Sequence, residues 1–184
     1  NVAAGNYNVT VRNAAGCTSA AAPVTINTPA TAPAVPTVTV TQPTCAVATG
    51  TITVTAPLGA GLTYSIDGTN FQASTIFNNV APGNYTITVQ NAAGCSSAAT
   101  PITVNAQPLT PTAPATNATQ PNCTVATGTI TVTAPLGAGL TYSIDGITYT
   151  NTTGVFTGVA PGNYSVTVRN AASCTSPATP LTIN

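Results

Sequence analysis

Apolar and polar residues alternate through much of the chain, in short bursts. Thr51–Ala56 (TITVTA) sets Ile52 and Val54 on one side and three threonines on the other. Leu62–Ile66 (LTYSI) points Leu62, Tyr64 and Ile66 one way, Asn84–Gln90 aligns Tyr85, Ile87 and Val89, and Pro101–Val104 adds Ile102 and Val104. A period of two is that of a half-buried strand. Thr37–Thr41 (TVTVT) reads as a first strand with a fainter counterpart in Ala115–Thr119 (ATNAT), while Phe71 and Phe77 mark strands further on. Seven or so such strands in about 70 residues predict two packed antiparallel sheets. Asp67-Gly68 and Asp145-Gly146 fall between alternating runs, where a two-residue hairpin turn is expected because both residue types tolerate φ > 0.

The pattern occurs more than once. Gln42–Gly68 (QPTCAVATGTITVTAPLGAGLTYSIDG) recurs at Gln120–Gly146 with changes only at Thr44/Asn122 and Ala46/Thr124. NVAPGNYTITVQNAAGC (Asn79–Cys95) returns as GVAPGNYSVTVRNAASC (Gly158–Cys174), and the opening NVAAGNYNVTVRNAAGC (Asn1–Cys17) is the same segment again. The chain is therefore expected to hold the terminal strand pair of one repeat (1–27) and two full repeats (37–105 and 115–184). Between them lie the Pro-rich spacers Thr28–Pro36 and Ala106–Pro114, short and semi-stiff. With no initiator Met and no signal peptide in view, the sequence reads as an internal or processed piece of a longer tandem array.

One detail narrows the fold class. In Val80–Tyr85 (VAPGNY) a tyrosine follows a Pro-Gly turn at the start of the penultimate strand, where immunoglobulin-like sandwiches place a tyrosine corner. Tyr7, Tyr85 and Tyr164 are accordingly expected to be structural, the plainer alternative being half-buried aromatics without the corner hydrogen bond. The predicted architecture is all-β: tandem immunoglobulin-like antiparallel β-sandwiches joined by short Pro-rich linkers.

Composition changes the functional picture more than the fold. Only 2% of the 184 residues are charged (two Arg, two Asp, no Lys, Glu or His), against about 25% in ordinary globular chains. General acid–base chemistry needs a group titrating near neutrality, calcium and magnesium need converging carboxylates, and nucleic acid needs a basic stripe. No catalytic residue, cofactor or metal site is therefore expected, and no nucleic-acid partner. The chain is interrupted too often by Pro, Thr and Gly for a membrane-spanning run of about 18 apolar residues. Disorder is opposed by the abundance of β-branched and apolar residues, 43% being hydrophobic. Asp67 and Asp145 are read as turn formers. Arg12 and Arg169 are read as solvated strand ends, with contact to Asp67 or Asp145 as the alternative.

Five cysteines remain: Cys17, Cys45, Cys95, Cys123 and Cys174. Without His or Lys to generate a thiolate, a catalytic cysteine is not expected, and zinc-type spacing is missing. Disulfides of an oxidising, extracellular setting are the natural reading. Bridging within each repeat (Cys45–Cys95, Cys123–Cys174) is preferred because each repeat then stabilises itself by about 2–4 kcal/mol, with Cys17 paired outside that scheme. Sandwich topology, however, puts the two cysteines of a repeat at opposite ends, which would favour pairing with a neighbouring repeat or chain, as in Cys45–Cys174. A third scheme straddles the spacers as Cys17–Cys45 and Cys95–Cys123.

The order TC…GTITV…YSIDG…F…VAPGNYTITVQNAAGC resembles the tandem immunoglobulin-like repeats of giant secreted surface proteins of the gliding-adhesin type in Bacteroidota. The resemblance covers both full repeats and the opening fragment, and implies an extracellular stalk or adhesive fibre exported across the outer membrane. The near-lack of charge departs from that family. So do Gln90-Asn91 and Arg169-Asn170, where family repeats commonly end in an acidic residue, so calcium-assisted stiffening is not expected.

Soluble sheet proteins guard their edges with Lys, inward charges and bulges, and zero net charge promotes association. Thr51, Thr53, Thr55, Thr86, Thr88, Thr129, Thr131 and Thr133 are expected to face outward, offering hydroxyls to a neighbour without desolvating an ion. The expected partners are copies of the chain itself, in a secreted, cell-surface filament of a non-enzymatic structural protein. The rival class is an adhesin stalk or binding module for a glycan or other surface ligand such as ice. Twisted strands suit an ice lattice poorly, and most of the nine aromatics fall on the inward register. Without Lys, isopeptide crosslinks are impossible, and cystine is the one covalent crosslink available.

Overall fold

The computed structural model describes residues 1–184 and is entirely β. Fourteen strands follow in order: β1 (Gly5–Val9), β2 (Ala22–Ile26), β3 (Thr37–Thr41), β4 (Gly50–Ala56), β5 (Thr63–Ser65), β6 (Ile76–Val80), β7 (Gly83–Gln90), β8 (Thr100–Val104), β9 (Ala115–Thr119), β10 (Gly128–Ala134), β11 (Thr141–Ser143), β12 (Val155–Val159), β13 (Gly162–Arg169) and β14 (Thr179–Ile183). Spatial grouping yields two compact units. One holds Asn1–Thr39, Thr53–Phe77 and Tyr85–Ile102; the other holds Val40–Ile52, Asn78–Asn84 and Thr103–Asn184.

The final repeat shows how the period-two pattern becomes a sandwich. Strands β12-β10-β9 form one sheet and β11-β13-β14 the other, with the described pairings antiparallel. Ile130, Val132 and Val159 from the first sheet pack in one cluster with Tyr142, Val166, Val168 and Ile183 from the second. Burying each such side chain contributes roughly 1.5–3 kcal/mol, so the facing alternation of β10 and β13 drives the two layers together. The middle repeat has the same two sheets, β3-β4-β6 and β5-β7-β8, and buries the matching residues Ile52, Val54, Tyr64, Val80, Ile87, Val89 and Val104. Both full repeats are thus β-sandwiches, in tandem.

The hydrophobic pattern places these strands well, with two corrections. Each full repeat has six strands, not seven: after β5 and β11 the chain makes only the isolated bridges Tyr64↔Gln72 and Tyr142↔Asn151. The Asp-Gly hairpin is also not a two-residue turn. Tyr64 and Gln72 exchange backbone hydrogen bonds of 2.8 and 2.9 Å, enclosing a longer loop. Only the glycines take positive φ, +76° at Gly68 and +72° at Gly146, where both turn residues would need it. The buried Ser65 hydroxyl accepts the N–H groups of Asp67 and Gly68, and Asp67 Oδ1 accepts those of Thr69 and Asn70, each at 2.8 Å. These side-chain turns outcompete the tighter hairpin.

Two clamps tie the ends of the sheets. Gln120 Nε2 donates to the Thr182 carbonyl (3.1 Å) while its Oε1 accepts from Asn184 N–H (2.8 Å); Gln42 does the same to Thr103 and Asn105. Thr179 and Thr100 donate to the carbonyls of Pro114 and Pro36, both at 2.7 Å. Beside the glutamine clamp the packing is too tight for a side chain: a Cβ on Gly128 would stand 2.7 Å from the Thr119 carbonyl oxygen and 2.9 Å from Ile183. Gly50 is equally confined by Thr41 and Val104.

The opening strand pair β1–β2 is exposed along its length, including Tyr7, Val9, Val24 and Ile26. Of the corresponding residues in the middle repeat, Ile87 and Val104 are buried and Tyr85 and Ile102 half-buried.

Candidate functional site

The chemistry-bearing residues fall into three places: the acidic loops, the arginines and the cysteine turns. In the first, Asp67 and Asp145 do structural work. Asp67 is held well below the usual carboxylate range, first by the Asn70 side chain (2.6 Å to Oδ2), then by the N–H groups of Asn70 and Thr69 and the Ser65 hydroxyl. Asp145 is lowered first by the Ser143 hydroxyl, then by the N–H groups of Thr148 and Ile147. A carboxylate stabilised as the anion in this way is a poor proton carrier near neutrality.

Neither arginine's described contacts involve an aspartate. Arg12 Nε donates to the Gly16 carbonyl at 3.0 Å. The Arg169 guanidinium lies over the Tyr149 ring, 4.2 Å from its centroid, a cation–π geometry. Beneath it the Tyr149 hydroxyl meets Thr167 Oγ1 at 2.7 Å. The expected outward threonine row is partly covered: Thr88 Oγ1 is buried without a hydrogen-bond partner, and its counterpart in the final repeat, Thr167, is buried as well. Thr51, Thr53, Thr129 and Thr131 are half-buried, whereas Thr55, Thr86 and Thr133 face solvent.

The tyrosines at the heads of the penultimate-type strands carry the corner bond where it is described. Tyr164 donates to the Ala160 carbonyl and Tyr7 to that of Ala3, both at 2.8 Å; Tyr85 occupies the same place in β7. Tyr142 and Tyr64 donate to the Pro135 and Pro57 carbonyls (3.0 and 3.1 Å).

The cysteines form the most developed site. Cys45 and Cys174 are joined, Cα to Cα 5.4 Å, across 129 residues; Cys17, Cys95 and Cys123 are free. The preferred within-repeat pairing is therefore overturned, and the register explains why. Gly128 pairs with Val159, Thr129 with Thr119, and Gly162 with Ile183, so Cys123, between β9 and β10, lies at that end of the sandwich. Cys174 follows Arg169 at the far end of the eight-residue strand β13. At about 3.3 Å per residue that strand spans roughly 20 Å or more, whereas bridged Cα atoms lie within about 7 Å. The spacer-straddling scheme falls as well, since Cys45 is taken by Cys174. What forms is the inter-repeat bridge: first cysteine of one repeat to last cysteine of the next.

Local structure prepares that bridge. Asn170 N–H donates to the Cys174 carbonyl (3.1 Å), and Asn170 Oδ1 accepts Cys174 N–H (3.0 Å), which curls the chain into a tight turn. Ser173 completes the curl at φ +65°, where the equivalent turns use Gly16 and Gly94. The linker lies along the turn: Asn170 Nδ2 donates to the Leu109 carbonyl (2.7 Å), the Pro108 carbonyl is 3.8 Å from Cys174 Sγ, and Gln107 Nε2 donates to the Cys45 carbonyl (3.0 Å). The glutamine clamps and the Gln107 contact gave no period or motif by which the sequence could announce them.

There is no pocket, no group of three or more His, Cys, Asp or Glu placed to hold a metal, and no helix long and apolar enough to cross a membrane. No protein-family model and no curated protein matches the chain. Among solved structures it is similar to the FN1–FN3 domains of chicken CNTN1 (10% identity over 97% of this chain and 77% of that one, TM-score 0.41). It is also similar to the C-terminal 282-residue fragment of intimin in complex with the intimin-binding domain of the translocated intimin receptor (13% identity, 80% of this chain and 64% of that one, TM-score 0.41). A third similarity is to Bacteroides ovatus SGBP-B of the mixed-linkage glucan utilization locus, in complex with a heptasaccharide (15% identity, 100% and 54%, TM-score 0.26). Superpositions this loose leave the fold resting on the sheets themselves.

Proposed function

We propose that the chain is a structural, non-catalytic segment of an extracellular bacterial surface protein, and that it packs against copies of itself in a stable filament. One observation carries this reading: the outer strands β6 and β12 stand at sheet edges without a charged residue or a proline. Ile76 and Val155 are exposed on them, 45% and 42%. An unguarded apolar edge is a template for another strand. A guard remains late in each strand, a bulge at Gly158 (φ +67°) in β12 and a positive φ (+56°) at the matching Asn79 in β6, and it leaves Ile76–Asn78 and Val155–Thr157 open. Near-zero charge removes the repulsion that keeps most secreted domains apart. The cystine supports an oxidising, extracellular setting. The sequence resemblance to Bacteroidota gliding-adhesin repeats fits the same place.

The glycan-binding alternative is less well supported, because the hydroxyls of Tyr7, Tyr64, Tyr142, Tyr149 and Tyr164 are engaged within the fold. Sedimentation velocity tests the proposal. Average mass rises with concentration and, because ions play little part, barely changes between low and high salt. A particle of 18.0 kDa at every concentration refutes self-packing.

A further inference from the structure

The cystine gives the chain two covalent routes from β3 to β14. One is the backbone. The other leaves the backbone at Cys45, shortly after β3, crosses to Cys174 and rejoins it shortly before β14. The crossing skips a sequence separation of 129. Strands β4 to β13 all lie on the longer route. So does the buried apolar core of both full repeats, apart from Cys174 itself and Ile183.

The shorter route holds little slack. From Thr175 to Ile183 the chain is laid out beside β13: Thr175 bridges Arg169, and Thr179 to Ile183 pair in register with Val166 to Gly162. A paired strand is already within a few tenths of an ångström per residue of full extension. Ser176 N–H donates to the Val168 carbonyl (2.8 Å), and Gln120 holds Thr182 and Asn184. On the other arm, β3 is a strand of 5 residues paired with β4, and Gln42 at its end is held by Thr103 and Asn105. Ladder bonds run perpendicular to antiparallel strands. A pull along β14 therefore loads its bonds to β13 together instead of opening them one at a time.

We propose that this segment is a load-bearing tether whose stretch is limited by Cys45–Cys174. Tension that enters upstream of β3 and leaves downstream of β14 passes along β3, through the cystine and along β14. Strands β4 to β13 hang from that path as a slack loop. The two ends of the loop stay 5.4 Å apart, Cα to Cα, so pulling does no work on the cores while the S–S bond holds. The exposed pair β1–β2 lies outside the bridge and opens under load. This function goes beyond self-packing: it belongs to one molecule, and a chain that is monomeric in sedimentation can still be such a tether.

The test is to stretch single full chains between handles at the two termini in optical tweezers. Cys17, Cys95 and Cys123 are changed to Ala, which leaves Cys45–Cys174 as the one bridge available. In oxidising buffer the chain is expected to reach a limiting contour length of about 190 Å, the reach of segments 1–45 and 174–184 at about 3.3–3.6 Å per residue. Chains reduced beforehand with a phosphine should reach about 630 Å, with unfolding steps of the two sandwiches, a gain of roughly 430–460 Å. Cys45→Ala in the same background should give the long limit without reductant. An oxidised chain that reaches about 630 Å overturns the proposal. A limit that changes neither on reduction nor with Cys45→Ala overturns it too, since the shortening would then not come from the cystine.

Discussion

The middle and final repeats bury aliphatic residues at the same positions, yet they solve one polar position differently. In the final repeat Thr167 Oγ1 is bonded to the Tyr149 hydroxyl, and Arg169 lies over the tyrosine ring. In the middle repeat the corresponding residues are Thr88, Phe71 and Gln90, and Thr88 Oγ1 is buried with no partner. Gln90 instead donates to the Gly94 carbonyl and the Ser96 hydroxyl, both at 3.4 Å. The backbone tolerates both arrangements because the aliphatic core sets the fold and the polar layer only adjusts its stability. A buried hydroxyl without a partner costs about 1–3 kcal/mol, so the middle repeat carries a local defect that the final repeat has repaired.

The largest effect should be common to both repeats. Gly50→Ala and Gly128→Ala force a Cβ against a backbone carbonyl and a core side chain, and each is expected to lower stability in urea melts by about 2–3 kcal/mol. A large loss at one glycine and none at the other would break the equivalence of the two repeats.

Next come opposite signs at equivalent sites. Thr88→Val removes an unpartnered hydroxyl and should raise stability by about 1 kcal/mol, whereas Thr167→Val leaves Tyr149 without its bond and should lower it by a similar amount. Thermal unfolding of the two variants reads the difference directly. Equal shifts of the same sign would mean that the tyrosine bond does not distinguish the repeats.

Smaller is the turn before the last cysteine. Ser173 holds φ +65° where the middle repeat has Gly94 at +81°. Ser173→Gly should gain roughly 0.5–1 kcal/mol and Gly94→Ser lose as much, again by denaturant midpoint.

The smallest effect is the response to pH. The folded state depresses the pKa of Asp67 and Asp145, so their stabilisation is fully present above the unfolded value of about 3.9 and fades as pH falls toward the folded value. With no His, Glu or Lys in the chain, stability should be flat from about pH 5 to 8 and decline only below about pH 4. Asp67→Asn with Asp145→Asn should flatten that acid limb, and an unchanged limb would place its origin elsewhere.

Much of this was legible from residue order alone. The alternation of Ile52 with Val54, and of Ile87 with Val89, places β4 and β7 and their buried faces, because burial of one sheet face imposes a period of two. The turn at Asp67 is wider than the sequence implies because the Asp-Gly pair signals a bend without fixing its width. The Ser65 hydroxyl two residues earlier widens it. The bridge departs from the spacing of the cysteines for a different reason. Closing a loop inside one repeat looks favourable on entropy, but strand direction, which the spacing of cysteines does not encode, keeps Cys123 and Cys174 at opposite ends. The clamps of Gln42 and Gln120 depend on which strands become neighbours across the two sheets, and a lone glutamine at a strand end carries no such mark.

Self-packing of charge-free edges is tested most directly by negative-stain electron microscopy of the concentrated, oxidised full chain. Long unbranched fibres are expected, persisting in molar salt and failing to form when Ile76 and Val155 are both changed to Lys, which guards the two edges. A field of separate particles with the unaltered chain, or fibres that survive both lysines unchanged, would contradict it.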